Sequence, residues 1–277
     1  MKTLKKAVLF ICLMTCVGRL AAQTKGTEEM VVPLSEPGKP VTLEAHLMSG
    51  SIKVIGYEGK DVIVQVHLDS TKDEDEDGDD DSKGMKKIGT TGGLDVRAEE
   101  NDNTVRINAG MMNKKLIGLT IKVPQNTARI NVGTINNGDI SVSNVSGKVE
   151  ISNVNGGITV TDISGSVVAN TVNGEVIVKF KSVDPKAVMA FTSLNGKIDI
   201  TFPADTKANL KLRSDRGQVF TDFDVAVDKT QPKVETKNED HFHQVKIDEW
   251  VSGTINGGGP EITIWSQFSS IYVRKAK

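Results

Sequence analysis

Apolar and polar residues alternate along most of this chain, and glycine interrupts the alternation at regular intervals. Segments such as Ile140-Ser141-Val142 and Ile158-Thr159-Val160 place an apolar side chain at every second position. This alternation predicts strands with one buried face. Because no stretch keeps a helical periodicity over three turns, the pattern predicts an all-β protein.

The glycines between these strands follow a strict nine-residue spacing, and the residue before each of them alternates between Asn and Ser. The true repeat is therefore eighteen residues long, with two strands and two tight corners. The spacing later widens to 22 residues. The sequence predicts a single-stranded β-helix or β-solenoid with 18–22-residue rungs and irregular β-strands at both ends. The predicted structural corners are Asn137, Gly138, Ser146, Gly147, Asn155, Gly156, Ser164, Gly165, Asn173, Gly174, Asn195 and Gly196.

The corner residues have a structural interpretation. Glycine adopts positive φ without steric cost, and asparagine tolerates it. Equivalent segments of neighbouring rungs stack about 4.8 Å apart in parallel register. We therefore expect Asn137, Asn155, Asn173 and Asn195 to lie above one another and to hydrogen-bond along the stack. The positions predicted to fill the core are Ile140, Val142, Val149, Ile151, Ile158, Val160, Val167, Ala169, Val176 and Val178.

The N-terminus predicts export. Residues 1–22 combine an early cluster of three lysines with an apolar run and a small-residue cleavage site, as signal peptides do. Both cysteines, Cys12 and Cys16, lie inside this segment, so the mature chain is expected to lack disulfides and thiolate metal sites. A lipoprotein anchor at Cys16 is not expected, because no small residue directly precedes it. The location is then the periplasm, the cell surface or the medium.

The rest of the chain divides by its pattern. Residues 23–40 are polar and predict an extended N-terminal segment, and residues 41–277 predict one β-solenoid domain. An acidic loop at 71–87 interrupts it. We expect residues 41–68 to cover one end of the stack and residues 261–273 to cover the other, because an open strand edge invites pairing with another chain.

Charge and aromatic content argue against nucleic acid. Loss of the signal leaves 30 basic against 36 acidic residues, a net charge of −6, and eight of those acids lie in the run 73–81. Aromatic residues make up only 4% of the chain. Neither a basic patch nor a stacking platform is indicated. No later segment is apolar enough to predict a transmembrane span.

Two clusters are candidate metal ligands. Asp73, Asp75, Asp77 and Asp79 lie in the acidic run, which begins like a calcium-binding loop with oxygens at positions one, three and five and Gly78 at six. Gly84 occupies the position where such loops carry glutamate, so only weak Ca²⁺ binding is plausible, and a solvated loop is the favoured interpretation. His241 and His243 alternate and would share one strand face, but no third ligand stands at a defined spacing. No cofactor is expected.

Catalysis is not predicted. Some β-helices cleave polysaccharides with clustered carboxylates on one outer face, yet the regular rungs offer no recurring column of acids. Gly257-Gly258-Gly259 does not lead into a helix, as a phosphate-binding loop would. We therefore assign no catalytic residue and expect a protein that is not an enzyme.

The repeat corners and two segments, 191–200 and 253–262, resemble the exported bacterial β-strand-repeat family labelled "putative adhesin", a domain of unknown function. The resemblance covers roughly residues 40–275 and implies a β-solenoid, in agreement with the spacing. It brings no catalytic residues.

These observations favour a non-enzymatic, exported cell-envelope or surface protein that binds or scaffolds through a solenoid face. Its partner would be an envelope protein or a glycan. Two alternatives stay open. One is an envelope sensory or regulatory module that acts through a protein partner, and the other is a carbohydrate-active β-helix enzyme.

Overall fold

The computed structural model describes residues 27–68, 96–109, 117–228, 233–239, 242–248 and 250–277. This part of the chain contains strands and no helix, which confirms the all-β prediction. No helix in it could cross a membrane. The strands are β1 (Thr27–Val32), β2 (Val41–Tyr57), β3 (Val62–Leu68), β4 (Val96–Asn101), β5 (Thr104–Ala109), β6 (Ile117–Pro124), β7 (Asn126–Asn136), β8 (Ile140–Ser143), β9 (Ser146–Asn153), β10 (Ile158–Thr171), β11 (Val176–Val183), β12 (Met189–Ser193), β13 (Ile198–Phe202), β14 (Ala208–Ser214), β15 (Val219–Thr221), β16 (Val225–Val227), β17 (Lys233–Glu239), β18 (Phe242–Asp248), β19 (Val251–Ile255), β20 (Glu261–Ser266) and β21 (Ile271–Lys275).

The strands pair in two columns, and each repeat contributes one strand to each column. In the first column the order is β4, β5, the start of β2, β7, β9, the end of β10, β12, β20, β14, β19 and β16. In the second column it is β1, β3, β6, the end of β2, β8, the start of β10, β11, β13, β21 and β15. We call one strand of the first column, the following strand of the second column and the corner between them a rung. A second corner leads from each rung to the next.

The register follows the sequence repeat. Ile140 pairs in parallel with Ile158, and Ile158 pairs with Val176, both at offsets of 18 residues. Val176 pairs with Ile198 at an offset of 22. The predicted parallel stacking and both rung lengths are therefore confirmed for these strands. All ten predicted core positions are buried, and they belong to one continuous apolar core.

The prediction that residues 41–68 and 261–273 cover the two ends of the stack is wrong for most of these residues, and only β3, at 62–68, lies among the strands that flank one end. β2 forms a complete rung inside the stack, between the rung of β5 and β6 and the rung of β7 and β8. β20 and β21 likewise lie between the rung of β12 and β13 and the rung of β14 and β15. Near each end, one rung is therefore placed out of chain order.

Antiparallel strands flank the parallel rungs. At one end β1, β3 and β6 pair antiparallel in turn, and β4 forms a hairpin with β5. That hairpin turns at Asp102 and Asn103, which both have positive φ, as a common type of two-residue hairpin loop requires. At the other end, β19 pairs antiparallel with both β14 and β16. β17 and β18 form a separate hairpin.

Candidate binding face on the first column

The predicted corner residues occupy both bends of the rungs. The Asn-Gly pairs lie at the first corner, where the chain passes from the first column to the second, and the Ser-Gly pairs lie at the second corner, where it returns. Three asparagine side chains of the described residues form hydrogen bonds along the stack through their amide nitrogens: Asn155, Asn173 and Asn195. Asn173 Nδ2 donates to Asn155 Oδ1 at 2.8 Å, and Asn195 Nδ2 donates to Asn173 Oδ1 at 2.7 Å.

The expected position of Asn137 in this asparagine ladder is wrong. Asn155 Nδ2 donates to Asn136 Oδ1 at 3.2 Å instead. The first corner before β8 is one residue longer than the first corners of the later rungs. Asn137 accommodates this extra residue by adopting a positive φ of 51°. Asparagine is one of the few residues that adopt this conformation readily.

The two corners need glycine for different reasons, which corrects the expectation of positive φ throughout. At the first corner, Gly156 has no positive φ, but a Cβ there would lie 2.1 Å from the carbonyl oxygen of Gly138 in the preceding rung. At the second corner, Gly165 has a φ of 147°, and its Cβ would lie 2.1 Å from the carbonyl oxygen of Gly147. Close backbone approach therefore requires glycine at both of these positions, whereas backbone conformation requires it at Gly165 and not at Gly156.

A set of polar side chains at the first corner, all buried except the half-buried Ser214, was not recognised from the sequence. Each bonds to the backbone carbonyl of the corner residue in the neighbouring rung, as Thr171 Oγ1 does when it donates to Gly156 O at 2.9 Å. The sequence does carry a signal for this set, because a Ser, Thr or Asn stands three or four residues before the Gly, or Ser269, of each of these corners. The full set pairs Thr134 with Gly50, Asn153 with Gly138, Thr171 with Gly156, Ser193 with Gly174, Ser266 with Gly196 and Ser214 with Ser269.

The metal candidates fall largely outside the described residues. This applies to Asp73, Asp75, Asp77 and Asp79 with the whole acidic loop, and to His241. The backbone of His243 lies in β18, opposite Asn238. Within the described ranges no three His, Cys, Asp or Glu side chains stand close enough to hold a metal ion.

The outer face of the first column carries a line of mostly uncharged, polar residues. Adjacent strands align one outward residue each, and in the described strands this line, the polar row, runs across the stack. Its members are Asn108, His46, Gly133, Ser152, Asn170, Thr192, Trp265 and Arg213. Thr192 Oγ1 donates a hydrogen bond to Asn170 Oδ1 at 2.7 Å. The Asn170 side chain is exposed, so its amide nitrogen faces solvent. Only the last member, Arg213, carries a permanent charge, and it pairs with Asp215.

Beside the polar row runs a line of apolar side chains, two residues further along each strand. We call it the apolar ridge. Met48 is 51% exposed, Ile135 41% and Val172 37%, although all three are large apolar residues. Backbone hydrogen bonds in the same positions hold the ridge in register from rung to rung. The members of the ridge are Met48, Ile135, Val154, Val172 and Leu194.

A groove of about 400 Å³ opens between the polar row and the ridge, at the strands β2, β7 and β9. It exists because the polar row has glycine at 133. A Cβ on Gly133 would lie 2.8 Å from both His46 Nδ1 and Ser152 Oγ, so any larger residue would fill the space between these two side chains. Met48 and Ile135 of the ridge form the apolar side of the groove.

Ion pairs border the other side of the polar row near the groove. Arg106 Nε lies 2.8 Å from Glu44 Oε2, and Glu150 binds both Lys148 and Arg129. The hydrogen bond from Lys148 is the main cause that lowers the pKa of Glu150; burial opposes it, and the hydrogen bond from Arg129 adds to the lowering. The acids that flank the groove, Glu44 and Glu150, are therefore both paired with neighbouring cations.

At the far end, the polar row reaches the tryptophans. Trp265 on β20 is partly exposed and lies between Thr192 and Arg213. The ring of Trp250 lies near the same strands, with Lys211 Nζ 4.9 Å and Arg213 Cζ 5.9 Å from its centroid. Both tryptophans of the chain are therefore at one end of this face, and the low overall aromatic content hid this concentration.

The chain matches the model of one known protein family. The model of the Toastrack DUF4097 family matches residues 42–256. The chain belongs to this family. The resemblance drawn from the corner motifs is thus confirmed for most of this Toastrack chain, and the match spans the whole polar row except Trp265. No curated protein matches the chain.

Solved structures give weaker likenesses to this Toastrack chain. A "putative cell adhesion protein" from Clostridium sporogenes is 12% identical with a TM-score of 0.44, covering 90% of this chain and all of its own. A "putative adhesin" from Bacteroides fragilis is 13% identical with a TM-score of 0.42, covering 91% of this chain and 98% of its own. A "putative lipid binding protein" from Parabacteroides distasonis is 12% identical with a TM-score of 0.32, covering 92% and 98%. At such TM-scores no functional argument rests on them.

Proposed function

We propose that this chain is an exported, non-catalytic binding protein of the cell envelope, and that the outer face of its first column presents the ligand-binding surface. We also interpret the two columns as opposite sides of one coiled chain, a β-solenoid. The observation that carries the proposal is the polar row, in which consecutive strands align uncharged hydrogen-bonding side chains beside exposed apolar ones.

Three features support binding over catalysis. The polar row contains no carboxylate in any of its described positions, whereas glycosidases use a pair of them. A wide, rigid strand face offers many weak contacts without a deep cavity. Exposed apolar side chains in a continuous line mark interaction surfaces more often than scattered ones do. Export is supported by the sequence pattern of residues 1–22.

Cell fractionation combined with site-specific photo-cross-linking tests the proposal. A photoreactive residue replaces Ser152 in the polar row, and a second variant carries it at Thr159, which is also exposed but lies in the second column. We expect the protein in the envelope or the medium, and envelope material cross-linked from position 152 but not from 159. Retention in the cytoplasm, or equal products from both positions, would contradict the proposal.

A further inference from the structure

We propose that the polar row and the apolar ridge together bind an uncharged, linear glycan that lies along the stack of rungs. This inference rests on the proposed function and names its ligand. The groove at Gly133 and the indole of Trp265 are the two anchor points.

The first argument is chemical. A pyranose ring presents hydroxyl groups around its rim and C–H groups on its faces. The polar row supplies hydroxyl, amide and imidazole groups that both donate and accept hydrogen bonds. The ridge supplies a continuous apolar strip beside them, with Met48, Ile135 and Val172 exposed. A partner that is polar along one side and apolar along the other matches this pair of lines.

The second argument is the repeat. Neighbouring strands lie about 4.8 Å apart, which is comparable to the advance of an extended sugar chain per ring. From Gly133 on β7, the row passes β9, β10 and β12 before it reaches Trp265 on β20. These four steps span about 19 Å, so one chain of roughly four to five rings reaches from the groove to the indole in register with the rungs.

The third argument concerns charge. Between Asn108 and Trp265 the polar row contains no Asp, Glu, Lys or Arg. Near the groove, the carboxylates of Glu44 and Glu150 are already paired with Arg106, Lys148 and Arg129. An acidic polysaccharide would therefore find no cation within this stretch of the row, and the cations near the groove are already engaged by carboxylates. The row favours a neutral chain.

The fourth argument concerns the anchors. The groove of about 400 Å³ has polar walls at His46 and Ser152 and an apolar side at Met48 and Ile135, so it can hold one ring by both kinds of contact. Trp265 offers a large planar apolar surface with a polar N–H at its rim. Aromatic side chains of this kind carry much of the energy at binding sites.

The test uses the full mature chain and titration calorimetry with linear neutral hexasaccharides. The panel contains β-1,4-linked glucose, mannose, xylose and N-acetylglucosamine oligomers, and a galacturonic acid hexamer is the charged comparison. We expect at least one neutral hexamer to bind, and the acidic hexamer to bind at least tenfold more weakly. Binding should weaken at least tenfold in Trp265→Ala and in Gly133→Ala, which fills the groove.

Phe220→Ala is the matched control, because Phe220 is an exposed aromatic residue of the second column that stacks on Tyr272. It should leave binding unchanged. Thermal unfolding of each variant checks that it folds, and Ser152→Arg replaces Gly133→Ala if that variant does not. The inference is overturned if no neutral hexamer binds, if only the acidic hexamer binds, or if Phe220→Ala weakens binding as much as Trp265→Ala.

The two proposals can fail separately. Envelope products cross-linked from position 152, together with an absence of binding across the neutral panel, would remove the glycan and leave the binding face. A cytoplasmic protein without cross-linked envelope material would remove the proposed function itself, whatever the calorimetry gives.

Discussion

The two corners of each rung connect the same two columns, but they are built differently. The first corner is held by three kinds of rung-to-rung contact: the asparagine ladder, the close approach of glycine backbones and the buried hydroxyl and amide groups. The second corner shares the close approach of glycine backbones, has isolated side-chain bonds such as that from Asn144 Nδ2 to Gly56 O, and adds positive φ at Asp162 and Gly165. The extra residues of the longer rungs, 184–188 and 203–207, both lie at the second corner. The longer insertions therefore fall at the corner that lacks the asparagine ladder and the recurring buried polar set, whereas the first corner gains only one residue, before β8.

The largest difference should follow an insertion. Two glycines added between Gly174 and Glu175 at the first corner would break the ladder, the close packing and the register of β11 together. We expect this to lower the free energy of unfolding by about 3 kcal/mol or more. The same insertion between Pro185 and Lys186, at the second corner, should cost under about 1 kcal/mol, because lengthening an exposed loop adds little entropy.

Urea unfolding of both insertion variants gives the comparison directly. Equal losses at the two corners would show that the side-chain contacts of the first corner do not set its length.

Glycine replacement should give the next largest effect. Gly156→Ala forces a Cβ against a backbone oxygen that cannot move alone, and we expect a loss of about 3 kcal/mol. Gly165→Ala adds the conformational strain of its φ, so it should cost roughly 1–2 kcal/mol more. Gly157→Ala is the control, since its nearest neighbour would lie at 3.6 Å, and its effect should stay within about 0.5 kcal/mol. Calorimetric unfolding ranks the three, and any other order would contradict the distinction between the corners.

Much of this comparison follows from the sequence, and the missing part has physical reasons. The 18-residue spacing predicts which strands stack and which side chains enter the core, because stacking repeats the same environment. The placement of β2 and of β20–β21 could not be predicted. Periodicity identifies neighbours only between consecutive repeats, and at the last inserted rung Ser269 stands where other rungs carry glycine.

The candidate face was harder to predict than the fold. The outward residues of the polar row vary in type, so no repeat marks them, and the row exists only when β2 and β20 occupy their inserted positions. Gly133 lies outside the nine-residue spacing, and its role becomes visible only beside His46 and Ser152.

A smaller loss is expected from the buried hydroxyl groups of the first corner. Thr171→Val keeps the shape of the side chain but removes the donor to Gly156 O. We expect a loss of about 1–2 kcal/mol, because a buried carbonyl gives up a hydrogen-bond partner. Thr159→Val changes an exposed residue of a neighbouring rung and should have an effect within about 0.5 kcal/mol. Similar chemical-denaturation midpoints for both variants would remove the proposed role of the hydroxyl.

The smallest effect should come from the exposed ladder. In Asn173→Asp the carboxylate still accepts from Asn195 but cannot donate to Asn155. We expect a loss of roughly 0.5–1 kcal/mol at neutral pH. Protonation restores a donor, so the loss should shrink as the pH falls below about 4. Asn173→Ala loses both bonds and should show no such recovery relative to the wild type. Parallel pH profiles for the two variants would argue against the ladder.

The inserted rung of β20 and β21 has a consequence for the order of folding. A ribosome finishes β14 and β15 well before it makes residues 261–275, yet those late residues separate that rung from β12 and β13. During synthesis, the strands of residues 208–221 therefore have no permanent neighbour on that side. Residues 261–275 therefore complete the stack between these two rungs, and a chain without them would leave one edge of β12 and β13 and one edge of β14 and β15 without their partner strands.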